Sequence, residues 1–494
     1  MEKTRLYELF DLESIRPDTV IDLYKEVSIT DDAEKITPKT VFFLTKRASG
    51  NSRLGDISFP INPYAVVCEA DDAERISGQR LIITENTRSA LSHAYSRLYK
   101  ISYEKMKLIA VTGTNGKTSV ARMLHSILRY NDKEVGYIGT GAIMINDTVV
   151  SEKYYSMTTP DPELLYRSLK EMELLGCEYV IMEASSHAIS LGKLDAITFD
   201  YGIFTNLSPE HMDYHRDMED YYKSKKSLFD RCQNGIFNLD DAYSRRAYNE
   251  CECRKISVGI IERGDVFATD IQSRGLLGTY FFYRTKSLIF GVDLKPVGAF
   301  NVYNALMALC CSIDLGIKPT LAKQAINCIE YIPGRLEVLR NKPCVVIDYA
   351  HTAEAMENAL KSLYSYKNTR QRLICVFGCG GERDKSKRAS MGSVAEKYSE
   401  KIILTQDNSR GEKTENIVYD ILSGISSKSK VSVNYTREEA IREAILSSSD
   451  EDIVVILGKG REPYIIDADG YRDYSDRDEA TKALMVRRGN ENNT

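Results

Sequence analysis

The sequence predicts an α/β protein of three domains, and three observations carry that expectation. A strand, a glycine-containing turn and an amphipathic helix follow one another between Lys107 and Leu128. A second β-like run, 179–182, ends directly in the acidic Glu183. From about Leu336 onward, apolar strands alternate with helical segments, the pattern of a parallel sheet.

Each element follows from its own pattern. Up to about Lys105 the chain reads as short strands and turns, such as 40–44 and 80–84, followed by a helix over 87–98. The strand 108–112 opens a new unit. The helix after it places Val120, Met123, Leu124, Ile127 and Leu128 at i, i+3, i+4, i+7 and i+8, one buried face. Further on, strands are expected at 344–347, 373–377, 401–404 and 453–457, with helices around 387–397 and 438–446. No repeat or low-complexity linker separates the parts, so motif order sets the boundaries. They fall at 1–104, 105–334 and 335–494.

Composition excludes several classes. The chain has 494 residues, 43% hydrophobic and 28% charged, ordinary for a soluble globular protein. A net charge of −5 gives no basic footprint for nucleic acid. Glu2, Lys3, Arg5, Glu8, Asp11 and Glu13 make the first stretch unlike a signal peptide. The longest uncharged apolar run, 297–313, contains Asn301 and Asn304 and is too short to span a membrane. Eleven cysteines lack metal-ligand spacing, as expected of free thiols in a reducing cytosol. A cytoplasmic location and a monomeric state are the expectations.

Residues 110–119 read Ala-Val-Thr-Gly-Thr-Asn-Gly-Lys-Thr-Ser. A glycine turn at a helix N-terminus offers unpaired N–H groups and the positive dipole end to a phosphate. Lys117 can reach β- and γ-phosphate oxygens, and Thr118 can set its hydroxyl on Mg²⁺. The strict G-x-x-x-x-G-K-[ST] spacing is not met, since Val111 stands five residues before Gly116. An ordinary βα turn is the plain alternative. Glu183, at the carboxyl end of its strand, is placed for a metal carboxylate or for capping the next helix. No G-x-S-x-G elbow surrounds Ser186-His187, which argues against a hydrolase.

At these residues the chain resembles the Mur ligase family, and the resemblance extends over nearly its whole length. Gly113-Thr-Asn-Gly-Lys-Thr-Ser119 is similar to that family's short phosphate loop. Thr158-Thr-Pro160, Met182-Glu-Ala-Ser-Ser-His-Ala188, Phe204-Thr-Asn-Leu-Ser208 and His211-Met-Asp-Tyr-His215 follow in the family's order. Asn301-Val-Tyr-Asn304, Pro333-Gly-Arg-Leu-Glu337 and Asp348-Tyr-Ala-His-Thr352 continue it. Phe377-Gly-Cys-Gly-Gly-Glu-Arg-Asp-Lys385, Asp407-Asn-Ser-Arg410 and Gly458-Lys-Gly-Arg-Glu462 complete it, and the forms are those of the MurE type. The resemblance implies an N-terminal domain for the uridine nucleotide, a central P-loop ATPase-type sheet and a C-terminal Rossmann-like domain that binds an amino acid.

It also implies roles. Gly113, Thr114, Asn115, Gly116, Lys117, Thr118 and Ser119 would hold ATP, with Thr118, Glu183, His211 and Lys225 around Mg²⁺. Lys117, His211 and Lys225 would be catalytic, Lys225 as the lysine that the family converts to a carbamate. Asn301, Arg335, Asp348 and His351 match nucleotide contacts. Thr158, Thr159, Ser185 and Lys193 match contacts to UDP-MurNAc-L-Ala-D-Glu. Arg383, Asp407, Asn408, Ser409, Arg410, Gly458 and Glu462 match the pocket for the incoming diamino acid. Read from spacing alone, Lys225 is a solvated lysine beside Lys223 and Lys226, and Arg410 a solvated loop arginine.

The chain departs from the family pattern at several places. Asp32-Ala33-Glu34 stands where Asp-Ser-Arg is usual, which removes a hydroxyl and a charge from the expected uridine contact. Leu191 replaces a common glutamine, Lys193 an arginine, Arg461 a histidine and Ser409 a proline.

The implied reaction is an ATP-driven amide ligation through an acyl phosphate, in peptidoglycan synthesis. A motif ending in Arg410 favours meso-2,6-diaminopimelate, because a guanidinium can hold its second carboxylate bidentately. Lysine or ornithine as acceptor is the first alternative. A folylpolyglutamate-type ligase, a catalytically silent scaffold and a P-loop kinase or motor are the others.

Overall fold

Short apolar runs near the N-terminus form the strands that their composition predicts. The structure is a computed structural model that describes residues 2–10, 16–17, 21–45, 59, 61–76, 78–151, 157–212, 214–339 and 342–491. Glu26–Thr30, Thr40–Phe43, Ala65–Cys68 and Leu81–Ile83 pair in parallel, with Thr4–Arg5 and Arg16–Pro17 antiparallel at the two edges. Phe42, Leu44, Val66, Cys68 and Leu81 share one core cluster there. The helix Thr87–Tyr99 is capped by Asn86, whose side chain accepts from the Ser89 N–H at 3.0 Å.

Contacts group the chain into two compact units, one built from 1–121, 132–151 and 157–257, the other mainly from 258–494 together with 122–131. In the first unit, a parallel sheet runs in the order Val135–Gly139, Tyr179–Glu183, Lys107–Thr112, Phe199–Phe204, Cys232–Asn238. Its strands are almost wholly buried, as expected of a sheet covered on both faces. Glu183 pairs with Val111, and Phe204 with Thr112. That register brings the loops beginning at Gly113, Ala184 and Thr205 to one edge.

The second unit opens with an antiparallel set, Val266–Ser273, Thr279–Arg284 and Ile289–Leu294. The apolar helix Phe300–Asp314 follows, and it includes Cys310 and Cys311. The C-terminal sheet has the order Glu337–Leu339, Cys344–Asp348, Ile453–Leu457, Leu373–Phe377, Lys401–Leu404, Val431–Val433, parallel except for its first strand. Period-two alternation assigns its two faces. Val346, Cys375, Phe377, Ile402, Val455 and Leu457 cluster with Met356, Leu360, Met391 and Ile421. Val345, Ile347, Ile374, Val376, Ile403, Val454 and Ile456 cluster instead with Ile441, Ile445, Ala480 and Leu484. Helices thus cover both faces, and truncating a fully buried contact such as Leu360 to alanine costs about 2–5 kcal/mol. Asp348, Gly378, Thr405 and Gly458 all stand where these parallel strands end, the edge at which such sheets bind ligands. Among the described residues no helix is long and apolar enough to cross a membrane.

Candidate active site

The turn between Lys107–Thr112 and the helix Lys117–Tyr130 depends on two glycines. Gly113 has φ +142° and Gly116 φ +87°, in the region that side chains rarely adopt. A Cβ on Gly113 would lie 1.9 Å from Thr205 Oγ1. The turn is held from the neighbouring strand end. Asn206 O accepts from Thr114 N at 2.9 Å, Asn206 Oδ1 from Asn115 N at 3.0 Å, and Thr205 Oγ1 donates to Asn115 O at 2.6 Å. Lys117 Nζ folds back onto the carbonyls of Gly113 and Thr114, at 2.9 and 2.8 Å.

Glu183 is wholly buried and well supplied with donors. Thr118 Oγ1 donates to its Oε2 at 2.8 Å, Tyr137 OH to Oε1 at 2.6 Å and Thr140 N to Oε1 at 3.0 Å. Thr140 Oγ1 lies 3.2 Å from Oε2 and 3.0 Å from Thr158 Oγ1. The next helix, Ser186–Ser190, is capped by Ser185 and not by Glu183, which leaves the carboxylate to the turn. Thr159 Oγ1 donates to Glu183 O at 2.8 Å and accepts from Ser185 N at 3.1 Å. Lys193 Nζ meets Asp161 Oδ1 at 2.7 Å.

Lys225 comes from the helix Met218–Lys226, yet its side chain is 1% exposed and donates to Gly113 O at 2.9 Å. Burial first, and the nearby Lys117 charge second, hold its ammonium well below the ordinary lysine value. Tyr221 lies under it, 4.8 Å from Nζ to the ring centroid, with its hydroxyl 3.2 Å from Thr114 Oγ1. His211 has φ +58° and packs edge-on to His187 at 4.9 Å, with Tyr221 at 6.3 Å. The Ser208 hydroxyl, next to the turn, is buried without a hydrogen-bond partner among the described residues.

The second unit carries its own group. Asp348 Oδ2 accepts from Leu336 N at 2.6 Å and Oδ1 from Ala350 N at 2.7 Å; burial pushes its carboxyl up, against the pull of Arg335 and these N–H groups. Arg335 stacks on the Tyr349 ring at 4.7 Å, and His351 packs edge-on to the same ring at 4.9 Å. Asn301 is turned inward, donating to Val297 O at 2.7 Å and accepting from Asn304 at 2.9 Å.

Beyond Lys401–Leu404, Asp407, Asn408 and Ser409 are buried around a lysine, Lys459, that is itself fully buried. Lys459 Nζ donates to Asn408 Oδ1 and to Glu462 Oε2, each at 2.9 Å, and lies 3.5 Å from Asp407 Oδ1. Burial alone would raise the Asp407 carboxyl, but Lys459 and Arg437 outweigh it and hold it below the usual range. Gly458 has φ +112° and its Cα faces Asp407, where a Cβ would be 2.7 Å from Oδ2. Arg410 has φ +53° and donates through Nη1 to Gly381 O at 2.9 Å and Asn408 O at 3.1 Å. Its Nε and Nη2 have no acceptor among the described residues. Arg383 is exposed.

Two family models match these two regions: the Mur ligase middle domain over 111–312 and the Mur ligase glutamate ligase domain over 334–460. A UDP-N-acetylmuramoyl-L-alanyl-D-glutamate--2,6-diaminopimelate ligase of Aquifex aeolicus is 39% identical over 408 residues, 81% of either chain. The enzyme of the same name from Clostridioides difficile is 34% identical over 494 residues, covering 98% of this chain and 99% of its own. The chain belongs to the Mur ligase family. A solved structure bearing the same ligase name superposes with a TM-score of 0.67 at 25% identity, covering 99% of this chain and all of that one.

The Mur ligase fold brings most of the expected residues into contact. Gly113 to Thr118, Glu183, Thr158, Thr159, Ser185 and Lys225 form one connected network. His211 joins through Tyr221 rather than through Glu183. Lys193 meets Asp161 instead. Asp407, Asn408, Ser409, Arg410, Gly458 and Glu462 form a second network; Arg383 is exposed, and its Cγ and Arg410 Nη1 border the same point above Gly380, 3.7 and 3.3 Å from where a Cβ would sit. Sequence reasoning missed Tyr137 and Thr140 on Glu183, Asn206 on the turn, and Lys459. Asn206 and Lys459 lay within the matched motifs, while Tyr137 and Thr140 carried no local signal. Asp32 caps the short helical turn Ala33–Lys35, and Lys35 reaches Glu163 at 3.1 Å. Arg461 grips the buried Glu337 with two bonds of 2.7 Å.

Proposed function

We propose that this Mur ligase joins meso-2,6-diaminopimelate to the D-glutamate of UDP-MurNAc-L-Ala-D-Glu, driven by ATP, in the cytoplasmic stage of peptidoglycan synthesis. The observation that carries the choice of amino acid is Arg410. One nitrogen of its guanidinium is anchored, which leaves an edge of two N–H donors in a network that holds buried Asp407 and Asn408 and half-buried Glu462. That edge matches a carboxylate bidentately, while the acidic groups suit an ammonium.

Carboxylate is a poor electrophile, so the glutamate side chain is activated by accepting the γ-phosphoryl group. The amine then attacks the acyl phosphate, the C–N bond forms, and phosphate leaves. Two anions meet in the first step, and the Gly113–Gly116 turn with Lys117 supplies the opposing charge. Thr118, Glu183, His211 and a carbamate on Lys225 would hold Mg²⁺, which neutralises phosphate charge when bound. The donors fit: a buried carboxylate with a hydroxyl bonded to it, and nearby the Ser208 hydroxyl, unpartnered among the described residues. Among the described residues no three His, Cys, Asp or Glu side chains form a cage. Mg²⁺ bound chiefly through phosphates and water needs none. Burial beside Lys117 favours the neutral amine of Lys225, the form that adds CO₂.

Asn301, Arg335, Asp348 and His351 are the proposed further nucleotide contacts, and Lys193 and Arg383 further substrate contacts. A division at 104 and 334 and a monomeric state complete the proposal. The test is phosphate release and product mass with UDP-MurNAc-L-Ala-D-Glu, ATP and a panel of diamino acids. Turnover with meso-diaminopimelate above that with lysine or ornithine is expected, and the reverse order rejects it.

A further inference from the structure

Two loops of the second unit lie zipped together around Arg410. Gly381 N donates to Asn408 O at 2.9 Å, and a Cβ on Gly381 would be 1.9 Å from Ser409 O. Arg410 Nη1 spans both loops through the carbonyls of Gly381 and Asn408. Ser409 gives this stretch no fixed φ of the kind that proline would, and Arg410 itself sits in the left-handed region at φ +53°. Besides these backbone bonds and that of Arg410 N to Ile466 O, a side-chain pair ties the two loops together.

Behind them stands Arg388, in the first turn of Ser386–Tyr398, with no exposed surface. Its Nη1 donates to Glu412 Oε1 and Asp420 Oδ2, and its Nη2 to Glu412 Oε2, each at 2.8 Å. Nη2 also reaches Gly380 O at 3.1 Å. Glu412 closes the circuit by accepting from Glu382 N at 3.2 Å and pairing with Lys385 at 3.1 Å. One buried guanidinium thus binds the backbone of the glycine loop and the side chain two residues beyond Arg410. Such a bidentate, charge-assisted fork fixes direction as well as distance.

We propose that the Arg388–Glu412 pair is the device that aims Arg410, which makes both of them positioning residues for the choice of amino acid. The inference rests on the reading that Arg410 receives the second carboxylate of diaminopimelate. With the pair loosened, Arg410 keeps its charge but loses its orientation, so recognition of that carboxylate weakens and the ATP half of the reaction does not.

The experiment compares wild type, Glu412→Gln, Arg410→Ala and the double variant, measuring kcat and KM for meso-diaminopimelate and for lysine, KM for ATP, and Tm. In Glu412→Gln, KM for diaminopimelate should rise roughly ten-fold with KM for ATP unchanged, and the double variant should lose little more than Arg410→Ala alone. Asp420→Asn, which removes the more exposed of the two carboxylates, should shift KM in the same direction by less, and it serves if Glu412→Gln fails to fold. Unchanged diaminopimelate KM in the folded variant, or additive losses in the double variant, overturns the clamp while the ligase reading stands. A wild-type enzyme that prefers lysine overturns the choice of substrate and the clamp's role with it.

Discussion

Thr118 Oγ1 donates to Glu183 Oε2 over 2.8 Å, so the helix that follows the Gly113–Gly116 turn is tied to the end of the adjacent parallel strand. This one bond sets a hydroxyl and a carboxylate side by side at the edge of the sheet. With Tyr137 and Thr140 also donating to Glu183, the carboxylate is oriented before any ligand arrives. Preorganisation of this kind lowers the cost of charge rearrangement during phosphoryl transfer.

Lys117→Ala is expected to lower ligation and ATP turnover by roughly 10²–10³-fold or more, because phosphate charge then lacks its ammonium. Lys117 Nζ donates to the carbonyls of Gly113 and Thr114 in its own turn, and Tm measured alongside activity shows whether the variant stays folded. Near-normal phosphate release by the purified variant would count against the phosphate-turn assignment.

Gly113→Ala tests the turn through its backbone. The added Cβ meets Thr205 Oγ1 at 1.9 Å and the Asn206 carbonyl at 3.0 Å, at a φ of +142°. The strain amounts to about 1–3 kcal/mol before any clash is relieved. Loss of nucleotide binding, read by calorimetry, is expected together with a lower Tm, and an alanine variant that binds ATP normally argues against this account.

Lys225→Ala should be inactive and partly restored by formate or acetate, small anions that replace the missing carbamate. The unmodified amine is buried beside Lys117, which favours its neutral, CO₂-reactive form. Intact mass of the wild type measured in bicarbonate, against a CO₂-free control, reads the modification directly. Full activity of the unrescued variant would refute the role.

Much of this was legible from the sequence, for physical reasons that differ by region. The C-terminal strands are buried on both faces, so each reads as an unbroken apolar run such as Leu373–Phe377. The antiparallel stretch Thr279–Arg284 was not assigned. Aromatic residues stand on its half-buried side as well as its buried side, which hides the alternation. At the site, the turn and Glu183 are local features with their own spacing. Asn206 lay inside a matched motif without a role, while Tyr137 and Thr140 act only through strand order, which no single segment encodes. Read from spacing alone, Lys225 looks solvated beside Lys223 and Lys226, and the fold shows that it is buried.

Acid titration probes the clamp independently of turnover. Arg388, chief among its partners, holds the Glu412 carboxyl at about 2, against an ordinary 4.5. A carboxyl lowered on folding contributes stability that is whole above its unfolded value and lost as pH falls toward the folded one. Wild type should therefore be more stable than Glu412→Gln at neutral pH, with the difference in Tm shrinking below pH 4.5 as pH approaches about 2. A difference in Tm that stays constant across that range would show that the charge of Glu412 is not what stabilises the loop.

The last prediction concerns the amino acid itself. Diaminopimelate differs from lysine by a carboxylate at the far end, and a guanidinium with two donors along one edge can accept it in a fork. Arg410 keeps that edge because Nη1 alone is spent on Gly381 O and Asn408 O. Lysine would set an ammonium without a carboxylate against the same charge, so it is rejected as well as held less firmly. Ser409, lacking proline's fixed φ, is buried, and Arg410 N is bonded to Ile466 O at 3.1 Å, so the backbone beneath the guanidinium is anchored. Arg410→Ala is expected to cost about 2–4 kcal/mol in kcat/KM for meso-diaminopimelate, the scale of a broken charge pair. The loss should be small for lysine, which has no carboxylate to forfeit, so discrimination narrows from the diaminopimelate side. Measured kcat/KM for both amino acids decides it. A wild type that favours lysine or ornithine, or a variant that loses both substrates equally, would remove Arg410 from the recognition of the second carboxylate.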